Sequence, residues 1–328
     1  MARLGLAIVG AGRMGSGHAR LIARGVPEIE ITAIADVNLE AGRRLGTELG
    51  GVPAFADYEA AITAPGVDAV LVAVSSVHHR PVVEAAAAAG RDILCEKPLA
   101  LTMADTDAML AVVSRAGVRL QVGLMRRHDP EYVRARERIA AGELGRPRLF
   151  NSRQYDTDPA PPGFLDPAVS GGIMVDMGIH EFDAARYLLA DEVTEVSAMG
   201  GLVDPAFAGL DDADVAVVGL RFASGALGSV ELSRRVAYGE DVRTEVHGPD
   251  GSAFIGALPV PGSSEPRFAA AYAAEALAFA AAIREDRSVT PNGADGRAAF
   301  AIAVAADRAR REGRVVRVDE VAADLASG

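Results

Sequence analysis

Cysteine is almost absent from this 328-residue chain; Cys95 stands alone, so no intrachain disulfide can form, and a reducing compartment, the cytoplasm, is the expected setting. Cations are also in short supply. Lys and Arg number 33 against 45 Asp and Glu, and the formal net charge of -12 argues against a nucleic-acid partner, which is bound through clustered positive charge. The Arg-rich stretch Arg308, Arg310, Arg311, Arg314 has helical spacing and reads as a solvated helix face. No apolar run approaches the ~18–20 residues that span a bilayer, so no membrane partner is expected. The opening MARLGLAIVGAGRMG runs into glycines without the cleavage site of a secretory leader. What is present, 50% hydrophobic and 24% charged residues spread along the chain, is the profile of an ordered globular protein long enough for two domains.

The first third alternates short apolar segments with helical periodicity. Leu4 to Val9, Ile29 to Ala35, Ala69 to Val74, Ile93 to Cys95 and Leu120 to Val122 read as strands. Helices are predicted through Met14 to Ala23, then at Leu39 to Leu49, Pro81 to Ala89 and Thr102 to Ser114. Near-continuous apolar strands alternating with helices imply an α/β fold, a doubly wound parallel sheet of the Rossmann type, over residues 1–122. From residue 123 to 328 the texture changes. A proline-bearing stretch from Tyr155 to Pro167 and a helix precede long segments at Glu192 to Gly201, Ala213 to Phe222, Ala226 to Arg234 and Val242 to His247. Turn signals separate them, which predicts an α+β domain with a large, mostly antiparallel open sheet. Two alanine-rich helices, Phe268 to Arg284 and Asp295 to Glu312, and a strand at Val315 to Val318 close the chain.

Three constellations carry chemistry. The first is GAGRMG, in which Gly10, Gly12 and Gly15 fit the dinucleotide-binding spacing between a strand and a helix, with Arg13 and Met14 inside the loop. Asp36 ends the second strand 21 residues after Gly15, where a carboxylate accepts ribose hydroxyls and repels a 2′-phosphate; NAD is the expected cofactor. An Asp there can equally cap the next helix. The second is Glu96-Lys97-Pro98 at the carboxyl end of a strand, the side on which ligands bind in open α/β sheets. The proline holds Lys97 in an extended conformation. His78 and His79 follow a strand on the same side, and a cofactor contact is open to one of them. The third is Asp176 and His180, four apart and on one face if the segment is helical, with Asp183 a turn on. A carboxylate beside an imidazole suits a general base, although the same spacing serves a structural pair or a metal ion; no third ligand is evident, so no metal is expected.

GAGRMG, CEKPLALT at 95–102, GLMRRHDPEY at 123–132, SGGIMVDMGIHEFDAARYL from Ser170 and SRRVAYGEDVRTEVHGPDG at 233–251 together resemble the Gfo/Idh/MocA oxidoreductases, and within them the inositol 2-dehydrogenases. The likeness extends over essentially the whole chain. It implies a catalytic triad of Lys97, Asp176 and His180, with His180 as base, Asp176 as its orienter and Lys97 stabilising the developing alkoxide. It adds Ser75, His79 and Glu96 to the cofactor contacts, and Met125, Arg126, Asp156 and Tyr238 to the substrate contacts. The activity implied is NAD-dependent oxidation of a ring alcohol of a cyclitol, myo-inositol foremost, by a homotetramer. Another sugar or cyclitol substrate, or an NAD-sensing regulator, are the alternatives. Relatives commonly carry Thr-Pro-Asn where Val74-Ser75-Ser76 stands, and YGYDQR where this chain has YGEDVR at 238–243.

Overall fold

A computed structural model describes residues 3–157, 162–258 and 267–323. The chain divides into two compact units, Met1–His128 with Pro266–Arg297, and Asp129–Glu265 with Ala298–Gly328. In the first, β1 (Leu4–Val9), β2 (Ile29–Ala35), β3 (Ala54–Phe55), β4 (Ala69–Val72), β5 (Asp92–Glu96) and β6 (Leu120–Gly123) form one sheet in the order β3-β2-β1-β4-β5-β6. Every neighbouring pair is parallel, as a doubly wound fold requires. The strand order reverses between β1 and β4, which opens a crevice beyond their carboxyl ends. Between the strands run α1 (Arg13–Gly25), α2 (Leu39–Glu48), α3 (Tyr58–Ile62), α4 (His79–Ala88) and α5 (Met103–Ala116). Helices cover both faces, so β1 and β4 are buried at every position and show no alternation. Thr102 opens α5 as expected: its hydroxyl oxygen accepts the Asp105 N–H at 3.0 Å.

The second unit begins with α6 (Pro130–Ala140) and β7 (Leu149–Tyr155), followed by single-turn helices α7 (Pro162–Leu165), α8 (Pro167–Ser170) and α9 (Ile173–Asp176) and the longer α10 (Gly178–Leu189). Of the stretch Tyr155 to Pro167, residues 158–161 lie outside the described residues. Strands β8 (Val193–Gly201), β9 (Val215–Phe222), β10 (Leu227–Ser233), β11 (Asp241–His247), β12 (Ser252–Ile255) and β13 (Val316–Arg317) complete a seven-stranded sheet, β12-β11-β7-β10-β9-β8-β13. All its pairs are antiparallel except β7 with β10. The large, mostly antiparallel sheet expected of the second half is therefore present. Residues alternate between the two faces of each strand. Phe150, Ser152, Val242 and Thr244 lie on the face that packs on α10, and Arg153, Tyr155, Asp241 and Arg243 lie on the other.

The chain ends with α11 (Ala269–Arg284), α12 (Gly293–Glu312) and α13 (Val318–Ala323). Ala276, Phe279 and Ala280 of α11 join Leu6, Ile8 and Ile22 in one buried cluster, which draws this late helix back to the Rossmann unit. A single cut between residues 122 and 123 does not capture that return; the later boundary falls inside α12, after Arg297. Among the described residues no helix is long and apolar enough to cross a membrane.

Burying α11 also buries Glu275, which is 0% exposed and, among the described residues, has no hydrogen-bond partner on either carboxyl oxygen. Burial, with the nearby Glu96 charge, pushes its carboxyl well above the ordinary range, so it is neutral when folded. Unfolding releases that proton once the pH exceeds the unfolded value, and stability falls as pH rises, by at most about 1.4 kcal/mol per pH unit for one proton. Glu275→Gln removes this dependence. The variant's melting temperature should exceed the native one by more at pH 8 than at pH 5; an equal difference at both would contradict a neutral Glu275.

Candidate active site

The glycine loop lies between β1 and α1. Gly10 has φ +105°, and a Cβ on it would come within 2.5 Å of the Ala73 carbonyl oxygen, so only glycine brings β1 this close to β4. A Cβ on Gly15 would lie 1.8 Å from the Gly10 carbonyl, which fixes the tight entry into α1. Gly12 is different: its Cβ would meet nothing within 4 Å. It faces the open room that a pyrophosphate needs at a helix amino terminus, and no side chain caps α1 there. Asp36, at the end of β2, reaches this loop; its Oδ2 accepts the Ala11 N–H at 2.7 Å and its Oδ1 accepts the Asn38 N–H at 2.8 Å. The residues present thus fit a dinucleotide, with Gly12 giving the approach and Asp36 a carboxylate at its edge.

At the end of β5 the Glu96 carboxylate is buried and takes a short hydrogen bond from His18 of α1. Its other oxygen accepts the Lys97 backbone N–H at 3.2 Å. Burial alone raises such a carboxyl, but the His18 hydrogen bond and the charges of His18, Lys97 and His79 hold it below its usual range. Gly123 gives it room, since a Cβ there would stand 3.0 Å from Glu96 Oε2. Glu96 therefore fixes the backbone from which Lys97 projects. His79 is buried, with ring nitrogens 2.8 Å from the Pro98 carbonyl and 3.1 Å from the Val74 carbonyl. The single N–H of the neutral ring donates to one of these carbonyls and so links the ring to the loop after β4 or β5; Ser75, in the loop after β4, is exposed. Met125 and Arg126 are buried, and the Arg126 guanidinium lies over the Phe268 ring at 5.4 Å. Cys95 is a buried strand residue whose thiol is pushed up by burial and by the Glu96 charge.

In the second unit Asp176 and His180 do not share one continuous helix. Asp176 ends α9, Met177 breaks the run, and His180 sits in the first turn of α10. The region is held from both sides. Arg234, just past β10, donates to Asp176 Oδ2 at 3.2 Å and to Asp212 Oδ2 at 3.0 Å, and Asp212 accepts the Ile173 N–H that opens α9 at 3.0 and 3.2 Å. Glu181, beside His180, is fully buried and accepts from Ser152 of β7. Ser152 in turn contacts Thr244, and Thr244 contacts Tyr132, each at 2.8 Å. Donation from Tyr132 to Thr244 to Ser152 to Glu181 uses each hydroxyl once. Gly178 lets α10 sit on β10, for its Cβ would lie 3.2 Å from Leu232. His180 is 7% exposed, and Asp183 is buried one turn further along.

The description "Oxidoreductase family, NAD-binding Rossmann fold" fits residues 4–124, and the C-terminal domain of the same Gfo/Idh/MocA family fits residues 132–254. The chain is 36% identical to myo-inositol 2-dehydrogenase of Thermotoga maritima, over 96% of this chain and 99% of that one. The chain belongs to the Gfo/Idh/MocA oxidoreductase family. It is also 35% identical to the NAD(+)-dependent scyllo-inositol 2-dehydrogenase of Bacillus subtilis, over 95% of this chain and 96% of the relative. The crystal structure of scyllo-inositol dehydrogenase from Lactobacillus casei with bound NAD(H) and scyllo-inositol superposes with a TM-score of 0.89 at 26% identity, covering 97% and 99% of the two chains.

In this Gfo/Idh/MocA chain two expected substrate contacts fall differently. Asp156 follows β7 and takes a 3.5 Å hydrogen bond from Gln154. Tyr238 is not brought to Asp176 and His180: its hydroxyl donates at 2.9 Å to Asp241, on the sheet face opposite α10, where Arg243 also binds that carboxylate. Arg234, Asp212 and His18 carried no signal in the sequence, because their partners stand 58, 39 and 78 positions away.

The glycine loop yields a paired test. Gly12→Val should leave the melting temperature unchanged and weaken NAD binding by at least roughly tenfold, about 1.4 kcal/mol. Gly15→Ala should lower the melting temperature, because backbone must move. Titration with NAD and thermal unfolding check both; normal NAD affinity in Gly12→Val would remove the loop from the cofactor site.

Proposed function

We propose that this oxidoreductase uses NAD to oxidise a ring secondary alcohol of a cyclitol to the ketone, with myo-inositol as substrate. The observation that carries the reading is a nearly buried imidazole, His180, one turn beyond an Arg-held carboxylate, Asp176, in a chain similar to myo- and scyllo-inositol dehydrogenases along 95% or more of its length. The loop Gly10 to Gly15 and Asp36 would hold the cofactor. NAD, when bound, supplies the hydride acceptor. His180 takes the hydroxyl proton, and Asp176 supports the imidazolium that results. Lys97, on a backbone fixed by Glu96, supplies positive charge to the oxygen as negative charge develops on it. Among the substrate contacts, Arg126 and Asp156 are retained in this reading, whereas Tyr238 is left out because its hydroxyl is bound to Asp241 on the far face of the sheet. That face also exposes Met199, Val217, Leu227 and Phe254, which supports association of chains through it as a homotetramer.

Formation of reduced cofactor, followed by absorbance with NAD or NADP and with myo-inositol, scyllo-inositol or an aldose, tests the reading. Turnover of an inositol with NAD is expected, at a higher kcat/KM than with NADP, and Asp36→Ala should shrink that preference. Turnover of an aldose with neither inositol accepted would overturn the cyclitol assignment, and equal kcat/KM for the two cofactors would remove Asp36 from its role.

A further inference from the structure

Arg234 is only 3% exposed, and its charge is divided between two carboxylates that come from different segments. Taking a guanidinium out of water is costly unless its partners are well placed, so a buried arginine of this kind marks a position where geometry is enforced. The partners are indeed well placed. Asp212 is 2% exposed at its side chain, lies 3.0 Å from the guanidinium and takes the first N–H of α9. Gly172 makes that approach possible: it has φ +79°, and a Cβ on it would press within 2.9 Å of Asp212 Oδ1. Asp176 is the last residue of the same helix, and its carboxylate is the second partner. One end of α9 is thus tied through Asp212 and the other through Asp176, and both ties meet at one guanidinium.

We propose that Arg234, backed by Asp212, is a positioning residue for the reaction: it holds the Asp176 carboxylate in the orientation that His180 requires. The proposal rests on the roles given above to Asp176 and His180. In this role Arg234 acts on the reaction through Asp176, so its loss should show in kcat and not in stability alone.

The test is a mutant cycle. Arg234→Met/Asp212→Asn removes one charge of each sign and leaves an amide oxygen to accept the Ile173 N–H, while Arg234→Lys keeps the charge without the two-pronged geometry. In the native background the charge-balanced double variant should lower kcat by roughly 10–100-fold, the penalty of a misplaced catalytic group, with NAD affinity and the KM for the polyol unchanged. Arg234→Lys should recover part of the loss. In an Asp176→Asn background the same substitutions should lower kcat no further, because two residues that act as one unit are not additive. Loss that multiplies with that of Asp176→Asn, or a fall in melting temperature at native kcat, would overturn the proposal. Native kcat in Asp176→Asn alone would overturn the role of Asp176 and the proposal with it; a damaging Asp176→Asn beside fully active Arg234 variants would overturn the proposal only.

Discussion

A buried carboxylate keeps its charge only if fixed donors replace the water it has lost, and each half of this molecule meets that demand at the point where its chemistry begins. In the first unit Glu96 is the carboxylate, with His18 and the Lys97 N–H as its donors. In the second, the buried Asp212 accepts hydrogen bonds from Arg234 and from the Ile173 N–H. Neither group needs to touch substrate. What each does is fix a chain segment at a defined place, so that the next residue to which we assign chemistry, Lys97 in one case and Asp176 in the other, projects from a held backbone. Glu275 shows the alternative outcome: with no donor to its carboxyl oxygens among the described residues, burial pushes its pKa well up and favours the protonated form.

The Rossmann half was legible because its rules are local. Leu4 to Val9 and Ile29 to Ala35 emerge with the expected bounds, since an apolar strand between helices has no other way to bury both faces. The second half hid one interior strand of its sheet. β7, LFNSRQY, has polar Ser152 and Gln154 on its inward face, where Ser152 serves Glu181 and Thr244, so the hydrophobic alternation that betrays a strand is missing. The break at Met177 was hidden for the opposite reason. Every residue from Gly172 to Phe182 except Asp176 is buried, and an all-round apolar run looks the same whether one helix or two pass through it.

Of the site, the parts that follow a motif were visible and the parts that serve it were not. Gly10, Gly12, Gly15, Asp36 and Lys97 stand at strand ends, where the sequence placed them, whereas Asp176 and His180 fall on two successive helices and not on one. His79 was visible beside the crevice; its ring lies between the Pro98 and Val74 carbonyls. Arg234 and Asp212 lie far along the chain from the residues they hold, and α11 returns to the Rossmann unit on alanines whose pattern marks a buried helix without saying in which core. Long-range partners of this kind have no spacing to betray them.

The central claim is that Lys97, Asp176 and His180 carry the chemistry. It is tested most directly by single-turnover reduction of NAD at saturating myo-inositol, native against His180→Ala and Lys97→Ala. General-base catalysis typically contributes about 10²–10⁴-fold, so the His180 variant should transfer hydride slower by that order with NAD binding intact, and the Lys97 variant should suffer at least comparably. Near-native hydride transfer in both variants would contradict the account and place the chemistry elsewhere.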